Sequence, residues 1–257
     1  MTAPYYDDGI ATIYLGDCED ILPQLPAADL IFTSPPYNLA GSPWPKLGHW
    51  KQGDSPGGKS KWRNGSDGSG GVSYSDHDDA MPWPEYVAWQ HRVLELCWDA
   101  LSDTGAIFYN HKPRTIGAKL WTPLELFPER LELRQIVTWA RAGGMNFVPT
   151  AYLSTYEWII IAARPAWRLK SQGASGVGDV WRVPADQGNE HPAPFPIALP
   201  ASAIDTTDPE LVIDPFAGSG TTLRAAKDAG VRSIGIEKSE AYCELAVRRL
   251  GQGSLFA

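Results

Sequence analysis

The stretch that most restricts this chain lies near its C-terminal end, where residues 211–222 read Leu-Val-Ile-Asp-Pro-Phe-Ala-Gly-Ser-Gly-Thr-Thr. The apolar run from Leu211 to Ile213 has the character of a buried parallel strand. Asp214 and Pro215 end it, because proline has no N–H to give to a ladder. Gly218 and Gly220 allow a tight turn and a close approach of backbone to a ligand. Thr221 and Thr222 then open a helical pattern that runs from Leu223 to Ala229 and stops at Gly230. Strand, glycine turn and helix in that order are how doubly wound α/β sheets hold nucleotide-like molecules, with free N–H groups at the helix start turned toward an anion. Plain chain reversal is the competing reading of a two-glycine turn taken alone. A phosphate-binding P-loop needs a Lys after its last glycine, and Thr221 stands there instead.

The next residues sharpen the choice. Residues 232–237, Arg-Ser-Ile-Gly-Ile-Glu, read as a second short strand ending in an acid. Glu237 follows the glycines by about 20 residues, the separation at which a carboxylate meets ribose hydroxyls. Alone, Glu237 would be a solvated carboxylate at a strand end; the turn before it favours the ligand role. Residues 239–250 predict an amphipathic helix with Ser239 as N-cap and with Tyr242, Leu245, Ala246 and Leu250 on one face.

At 257 residues the chain suits one α/β domain with insertions. No apolar run reaches the length of a membrane span and the N-terminus lacks a signal-peptide pattern, so a soluble, cytoplasmic protein with no membrane partner is expected. Cys18, Cys97 and Cys243 lie far apart, with neither metal-ligand spacing nor a disulfide framework. A formal net charge of −8 argues against a general nucleic-acid coat, although clustered basic residues outweigh the total. Eleven Trp, ten Tyr and seven Phe supply rings both for a core and for contact with bases or ligands.

Earlier in the chain, 11–15 read as a strand followed by Gly16 and Asp17, 18–25 as a short helix broken by Pro23 and Pro26, and 29–33 as a second strand. That strand runs into Ser34-Pro35-Pro36-Tyr37-Asn38, where two prolines stop it and fix the backbone. At least one proline carbonyl is expected to face a cavity. Residues 39–80 show no period, and a loop of this length is functional or disordered. Lys46, Lys51, Lys59, Lys61 and Arg63, with Asp54 the one acid among them, alternate with Trp44, Trp50 and Trp62, a mixture suited to nucleic acid; a solvated insertion without function is the alternative. Residues 84–101 predict a helix that Gly105 closes off. Strands follow at 106–109, 131–140 and 156–163, a short one at 179–183, and a helix at about 197–204. Between them, 142–148 form a glycine-rich turn within reach of a substrate.

Ser34-Pro35-Pro36-Tyr37 after an apolar strand, paired with the 214–222 turn, resembles the amino-group DNA methyltransferases that use S-adenosylmethionine. Gly16-Asp17-Cys18 and the segment beginning His191-Pro-Ala-Pro-Phe-Pro196 are similar to further parts of that family, so the likeness spans most of the chain. The tetrapeptide comes first and the cofactor turn last, as in the family's permuted β group. The resemblance therefore implies a doubly wound, mostly parallel, Rossmann-like methyltransferase sheet of α/β class, circularly permuted, with a long loop insertion at 39–80. The N-terminal strand would complete the cofactor half. It implies Ser34, Pro35, Pro36 and Tyr37 as the catalytic set. It implies Asp17, Cys18, Asp214, Phe216, Gly218, Ser219, Gly220, Thr221 and Glu237 as cofactor contacts, DNA as partner, a homodimer as an assembly open to it, and no metal. Ser34 Oγ and the Pro35 carbonyl would accept from an exocyclic amino group and localise its lone pair, and Tyr37 would stack on a base extruded from the duplex.

Ring-carbon methylation of cytosine is rejected, since in that family the nucleophilic cysteine follows a proline and none here does. The protein-glutamine enzymes carry a related tetrapeptide that begins with Asn and place the cofactor turn before it. Ser34 resembles the cytosine-N4 enzymes, whereas Tyr37-Asn38-Leu39 also resembles adenine-N6 enzymes; the expectation leans to cytosine N4 with adenine N6 open. A non-catalytic DNA-binding module that keeps the fold is the alternative of another class, and RNA or protein is a further substrate class.

Overall fold

Eleven short apolar strands and five helices make up the described part of the chain, residues 2–38, 81–116, 119–141, 152–184 and 195–252 of a computed structural model. In chain order they are β1 (Tyr6–Asp7), β2 (Ala11–Leu15), α1 (Cys18–Ile21), β3 (Ala28–Thr33), α2 (Trp83–Asp99), β4 (Leu101–His111), β5 (Arg114–Ile116) and β6 (Lys119–Trp121). Then come β7 (Leu133–Ala140), β8 (Tyr156–Ala163), β9 (Val180–Arg182), α3 (Ala198–Thr207), β10 (Leu211–Asp214), α4 (Thr221–Asp228), β11 (Arg232–Glu237) and α5 (Glu240–Leu250). Nine strands form one sheet in the order β1-β2-β11-β10-β3-β4-β8-β7-β9, and β5 pairs β6 separately. The run from β2 to β4 is parallel throughout; β1 and β8 oppose their neighbours, and β9 lies parallel to β7.

Both faces of the central strands are covered, which is why they read as continuous apolar runs. Ile31, Ile107, Tyr109 and Ile213 point toward α1 and α2, in one cluster with Ile21, Tyr86, Val93 and Leu94. Leu30, Phe32, Phe108 and Val212 point to the opposite face, packed with Leu199, Ala203, Ala225 and Ala226 of α3 and α4. Cys243, Ala246 and Leu250 of α5 close over Ala11 and Ile13 of β2. The sheet is doubly wound, as the sequence predicts.

β10 and β3 are the neighbours that matter for function. They pair in parallel, Val212 with Leu30 and Ile213 with Ile31, and the side-chain bond just beyond them joins residues 181 positions apart. From β10 the chain passes through α4 to β11 on one side; from β3 it passes to β4 on the other. This reversal opens a crevice outside the carboxyl ends of the two strands, where doubly wound sheets take ligands. The N-terminal β2 joins the far side of β11 in parallel, from Ala11 opposite Ser233 to Leu15 opposite Glu237, and so completes that half of the sheet.

Two local expectations are corrected. Gly105 does not close the α2 unit: Ala100 caps the helix and β4 begins at Leu101. Gly105 lies within that strand at an irregularity of the β3–β4 pairing, where a Cβ would stand 2.7 Å from the Ala28 carbonyl oxygen. Of the expected α5 face, Ala246 and Leu250 are buried, but Cys243 joins them in place of Tyr242 and Leu245, which are half-buried; spacings of three and four make that stripe as regular as the predicted one. Ser239 does hold the N-cap position, but its side chain makes no capping bond.

Gly235 on β11 is held by packing alone. A Cβ there would meet Ala217 Cβ at 2.8 Å and both Leu223 methyls at 2.9 Å. Gly235→Ala is expected to cost about 1–3 kcal/mol by overpacking, read as a lower urea midpoint at unchanged slope.

Candidate active site

The chain leaves β3 at Thr33 and continues from the carboxyl end of the strand as Ser34-Pro-Pro-Tyr37. The segment is tied down at each step. Thr33 Oγ1 donates to Asp214 Oδ1 at 2.8 Å, which binds the start of the tetrapeptide to the end of β10. The fully buried Tyr86 on α2 donates its hydroxyl to the Pro36 carbonyl at 2.9 Å. Asn38 adopts the left-handed conformation, φ 51°, which Asn tolerates better than most residues, and its Nδ2 donates to Met81 O at 2.9 Å. The expected free proline carbonyl is thus not that of Pro36; for Pro35 no described residue is a donor.

Behind Tyr37 stands a buried polar column. Its ring stacks on His111, with centroids 4.1 Å apart and planes at 22°, and His111 stacks in turn on Tyr109 at 5.8 Å and 11°. Lys112 N–H donates to His111 Nδ1 at 2.8 Å, which leaves Nε2 to carry the proton of a neutral ring and to face Tyr86 Oη at 3.0 Å. Gln90, one turn beyond Tyr86, accepts from Tyr109 Oη at 2.8 Å. Burial, with the Arg114 guanidinium second, pushes the His111 pKa down to about 3. The unfolded chain then takes up a proton near pH 6.5 that the folded chain refuses until about 3, so stability from this group is lost as pH falls through that window. Between pH 6.5 and pH 5 the loss should be about 2 kcal/mol. His111→Gln, with no proton to gain, should flatten that part of a urea-stability profile.

The hydroxyls of Ser34 and Tyr37 lie 3.1 Å apart. Asn110 Oδ1 stands 3.3 Å from Ser34 Oγ and 3.1 Å from Tyr37 Oη, and Glu157 Oε2 accepts from Tyr37 Oη at 3.1 Å. Arg141 holds the other Glu157 oxygen at 3.1 Å. Glu157 reaches this end of the sheet because β8 runs antiparallel to β4, with Trp158 opposite His111.

Across the crevice lies the glycine turn. Asp214 is buried; its Oδ1 also accepts from Phe216 N–H at 3.1 Å, the Thr222 hydroxyl faces the carboxylate, and Oδ2 has no donor among the described residues. Burial raises its pKa to about 6 against the pull of those bonds. Gly218 and Gly220 have φ of 50° and 78°, and Gly220 caps α4. Glu237 spans the turn: Oε2 accepts from Gly218 N–H at 2.8 Å and Oε1 from Ser239 N–H at 2.9 Å. Gly16 N–H donates to the Glu237 carbonyl at 2.9 Å, which sets Asp17 and Cys18 beside that strand end. Asp17 caps α1 through Glu19 N–H and pairs with Lys238 at 3.2 Å, while Cys18 is buried. Ser219 is buried, and Thr221 Oγ1 accepts from Arg249 of α5. The Phe216 ring packs edge-on against Trp89 of α2, 5.6 Å away, and Trp89 meets Tyr86, 6.1 Å away. The two motifs therefore border one crevice through Thr33–Asp214 on the sheet side and a run of aromatic rings on the α2 side.

Lys46, Lys51, Lys59, Lys61, Arg63 and the whole of 39–80 lie outside the described residues, as do 142–148 and His191 to Pro194. From sequence, Glu157 and Tyr86 have no site role, and Asn110 and His111 fall only within 110–122, a candidate stretch for DNA recognition, and not in the active site. One signal was available for Glu157, the single acid in the apolar run 156–163; another was Asn110-His111, polar residues closing a buried strand. Among the described residues no group of three or more His, Cys, Asp and Glu could hold a metal ion, and no helix is long and apolar enough to cross a membrane.

A doubly wound sheet with a glycine turn, an acid-ended second strand and a proline-fixed hydroxyl pair at its switch point is the arrangement of a nucleotide-binding α/β fold. Residues 28–248 match the model of the N6/N4 DNA methylases, and the chain belongs to that family. Among its relatives, the type II methyltransferase M2.MboI of Moraxella bovis is 27% identical, over 96% of this chain and 90% of that one. The same fold is found in PvuII DNA methyltransferase, cytosine-N4-specific, with a TM-score of 0.70 and 16% identity over 98% of this chain and 90% of that one. It is found again in the M1.HpyAVI–SAM complex, with a TM-score of 0.58 and 19% identity over 94% of this chain and 100% of that one.

Proposed function

We propose that the protein transfers a methyl group from S-adenosylmethionine to an exocyclic amino group of a base in DNA, with cytosine N4 as the acceptor. The observation that carries this is the Thr33–Asp214 bond, which sets the Ser34-Pro-Pro-Tyr37 segment beside the glycine turn. The residues fit the donor molecule. Asp214 Oδ2 is a buried acceptor without a described donor, suited to an ammonium group. Glu237 accepts a backbone N–H on each oxygen, and a carboxylate oxygen has the lone pairs to accept more than one bond, including from hydroxyls. Phe216 and Trp89 offer aromatic rings to a flat or cationic group. S-adenosylmethionine supplies an electrophilic methyl on a sulfonium. The chain's part is alignment: Ser34 Oγ and the Pro35 carbonyl accept from the amino N–H groups and bring the nitrogen lone pair to bear on the methyl carbon. Tyr37, backed by His111, gives the extruded base a platform.

The neutral Ser34 at the head of the tetrapeptide supports cytosine N4; adenine N6 is the second reading, on Tyr37-Asn38-Leu39. The late position of the cofactor turn supports the permuted β arrangement. Asp17 and Cys18 are proposed to meet the adenine end of the donor, and a homodimer stays a proposal resting on the resemblance. Incubation with labelled S-adenosylmethionine and mixed DNA, followed by nucleoside analysis, tests all of this at once. Label in N4-methylcytosine supports the reading, label in N6-methyladenine replaces the acceptor, and absence of label from DNA refutes it. We further propose that 39–80, with its Lys46, Lys51, Lys59, Lys61 and Arg63, reads the DNA. Deleting 45–75 is expected to abolish DNA binding in a gel-shift titration and to leave donor binding intact.

A further inference from the structure

A hydroxyl both donates and accepts, so Ser34 helps an incoming amino group only if its lone pair, and not its proton, faces that group. The direction of the bonds behind Ser34 therefore decides whether the segment works. Three acceptors lie around the Tyr37 hydroxyl: Asn110 O at 3.4 Å, Asn110 Oδ1 at 3.1 Å and Glu157 Oε2 at 3.1 Å. Asn110 Nδ2 donates to the Trp158 carbonyl at 3.1 Å, which fixes its Oδ1 toward the hydroxyls. Tyr37 has one proton to give. Only Glu157 offers a carboxylate, and a charge-assisted bond is roughly twice as strong as a neutral one. With that proton on Glu157, Tyr37 Oη accepts from Ser34 at 3.1 Å, or Asn110 Oδ1 does at 3.3 Å. In both cases the serine proton points into the protein and a serine lone pair is left for the crevice.

We propose that Glu157 is a positioning residue that sets the polarity of the Ser34–Tyr37 hydroxyl chain, so that Ser34 meets the amino group as an acceptor. This rests on the reading that Ser34 faces that amino group. Glu157 is buried, and its second oxygen is already held by Arg141. Glu157→Gln therefore does more than remove a charge. Arg141 retains the amide oxygen, the amide N–H turns to Tyr37, and the Tyr37 proton is driven off position 157 toward Asn110 Oδ1, where it competes with the Ser34 proton, or toward Ser34 Oγ itself.

The test uses the full chain and four variants: Glu157→Gln, Glu157→Asp, Tyr37→Phe, and Glu157→Gln combined with Tyr37→Phe. Glu157→Gln should lower kcat for methyl transfer to DNA about 100-fold, with KM for DNA and the Kd for S-adenosylmethionine unchanged. Glu157→Asp, which restores the charge, should recover roughly tenfold. In Tyr37→Phe the hydroxyl chain is already cut, so adding Glu157→Gln should cost no more than about twofold. Full kcat in Glu157→Gln, or losses that multiply in the double variant, would overturn the proposal. A loss caused by misfolding multiplies in the same way and counts against it. Wild-type protein that methylates no DNA overturns the functional reading and this inference together, whereas an active wild type with an equally active Glu157→Gln overturns the inference alone.

Discussion

Gly218→Val is expected to leave a folded protein that has lost S-adenosylmethionine. Gly218 sits at φ 50°, in the left-handed region that a β-branched residue avoids, at a cost of roughly 1–2 kcal/mol. Its N–H is one of two that hold the Glu237 carboxylate across the turn. Relief of the strain means rotating that peptide, which releases Glu237 and moves backbone into the crevice. The Kd should rise at least about 100-fold, or about 2.7 kcal/mol, in a calorimetric titration. Gly230 supplies the control. It has φ 71° at the end of α4 away from the turn, and a Cβ added there would meet nothing within 4 Å. Gly230→Val should lower the melting temperature by a similar strain and leave the Kd alone. Equal donor binding by Gly218→Val and wild type would show that the turn is not the donor site.

The turn could be read from sequence because every step of it obeys a local rule: apolar strand, proline stop, two glycines, helix, second strand with an acid. No partner elsewhere in the chain is needed to recognise it. The core of β8 was legible for the same reason, as a run of branched and aromatic residues. What Glu157 does within β8 was not, because it depends on that strand entering the sheet antiparallel to β4. A parallel strand would carry Glu157 to the other end of the sheet, and no residue within 156–163 states the direction. Asn110 and His111 gain their roles in the same pairing, 76 and 25 positions from the Ser34 and Tyr86 groups they touch. Tyr86 lies within a stretch whose sequence predicts only a helix; the packing of α2 against β4 shows that its hydroxyl is spent on Pro36 and His111. The face of α5 was misplaced for a simpler reason. Cys243, small and apolar, fits a stripe with Ala246 and Leu250 at spacings of three and four as well as Tyr242 does, and only the packing against β2 chooses between them.

Ser34→Ala and Tyr37→Ala are expected to separate turnover from donor binding. Ser34→Ala removes the acceptor proposed to face the amino group while leaving the backbone pinned through Thr33, Pro36 and Asn38. Loss of one preorganised polar contact of this kind costs about 100- to 1,000-fold in kcat, and KM for DNA should stay near its wild-type value. Tyr37→Ala removes more. The ring leaves His111 and the hydroxyl leaves Asn110 and Glu157, so both the proposed base platform and the bond proposed to orient Ser34 disappear. Base stacking is worth about 1–3 kcal/mol, so KM for DNA should rise as kcat falls. In both variants the Kd for S-adenosylmethionine should match wild type, because the Phe216–Asp214 and Gly218–Glu237 bonds need neither side chain. Single-turnover methylation with pre-bound donor measures the chemical step directly. A Ser34→Ala protein as fast as wild type in that assay would remove Ser34 from the chemistry and leave the Pro35 carbonyl as the acceptor that matters.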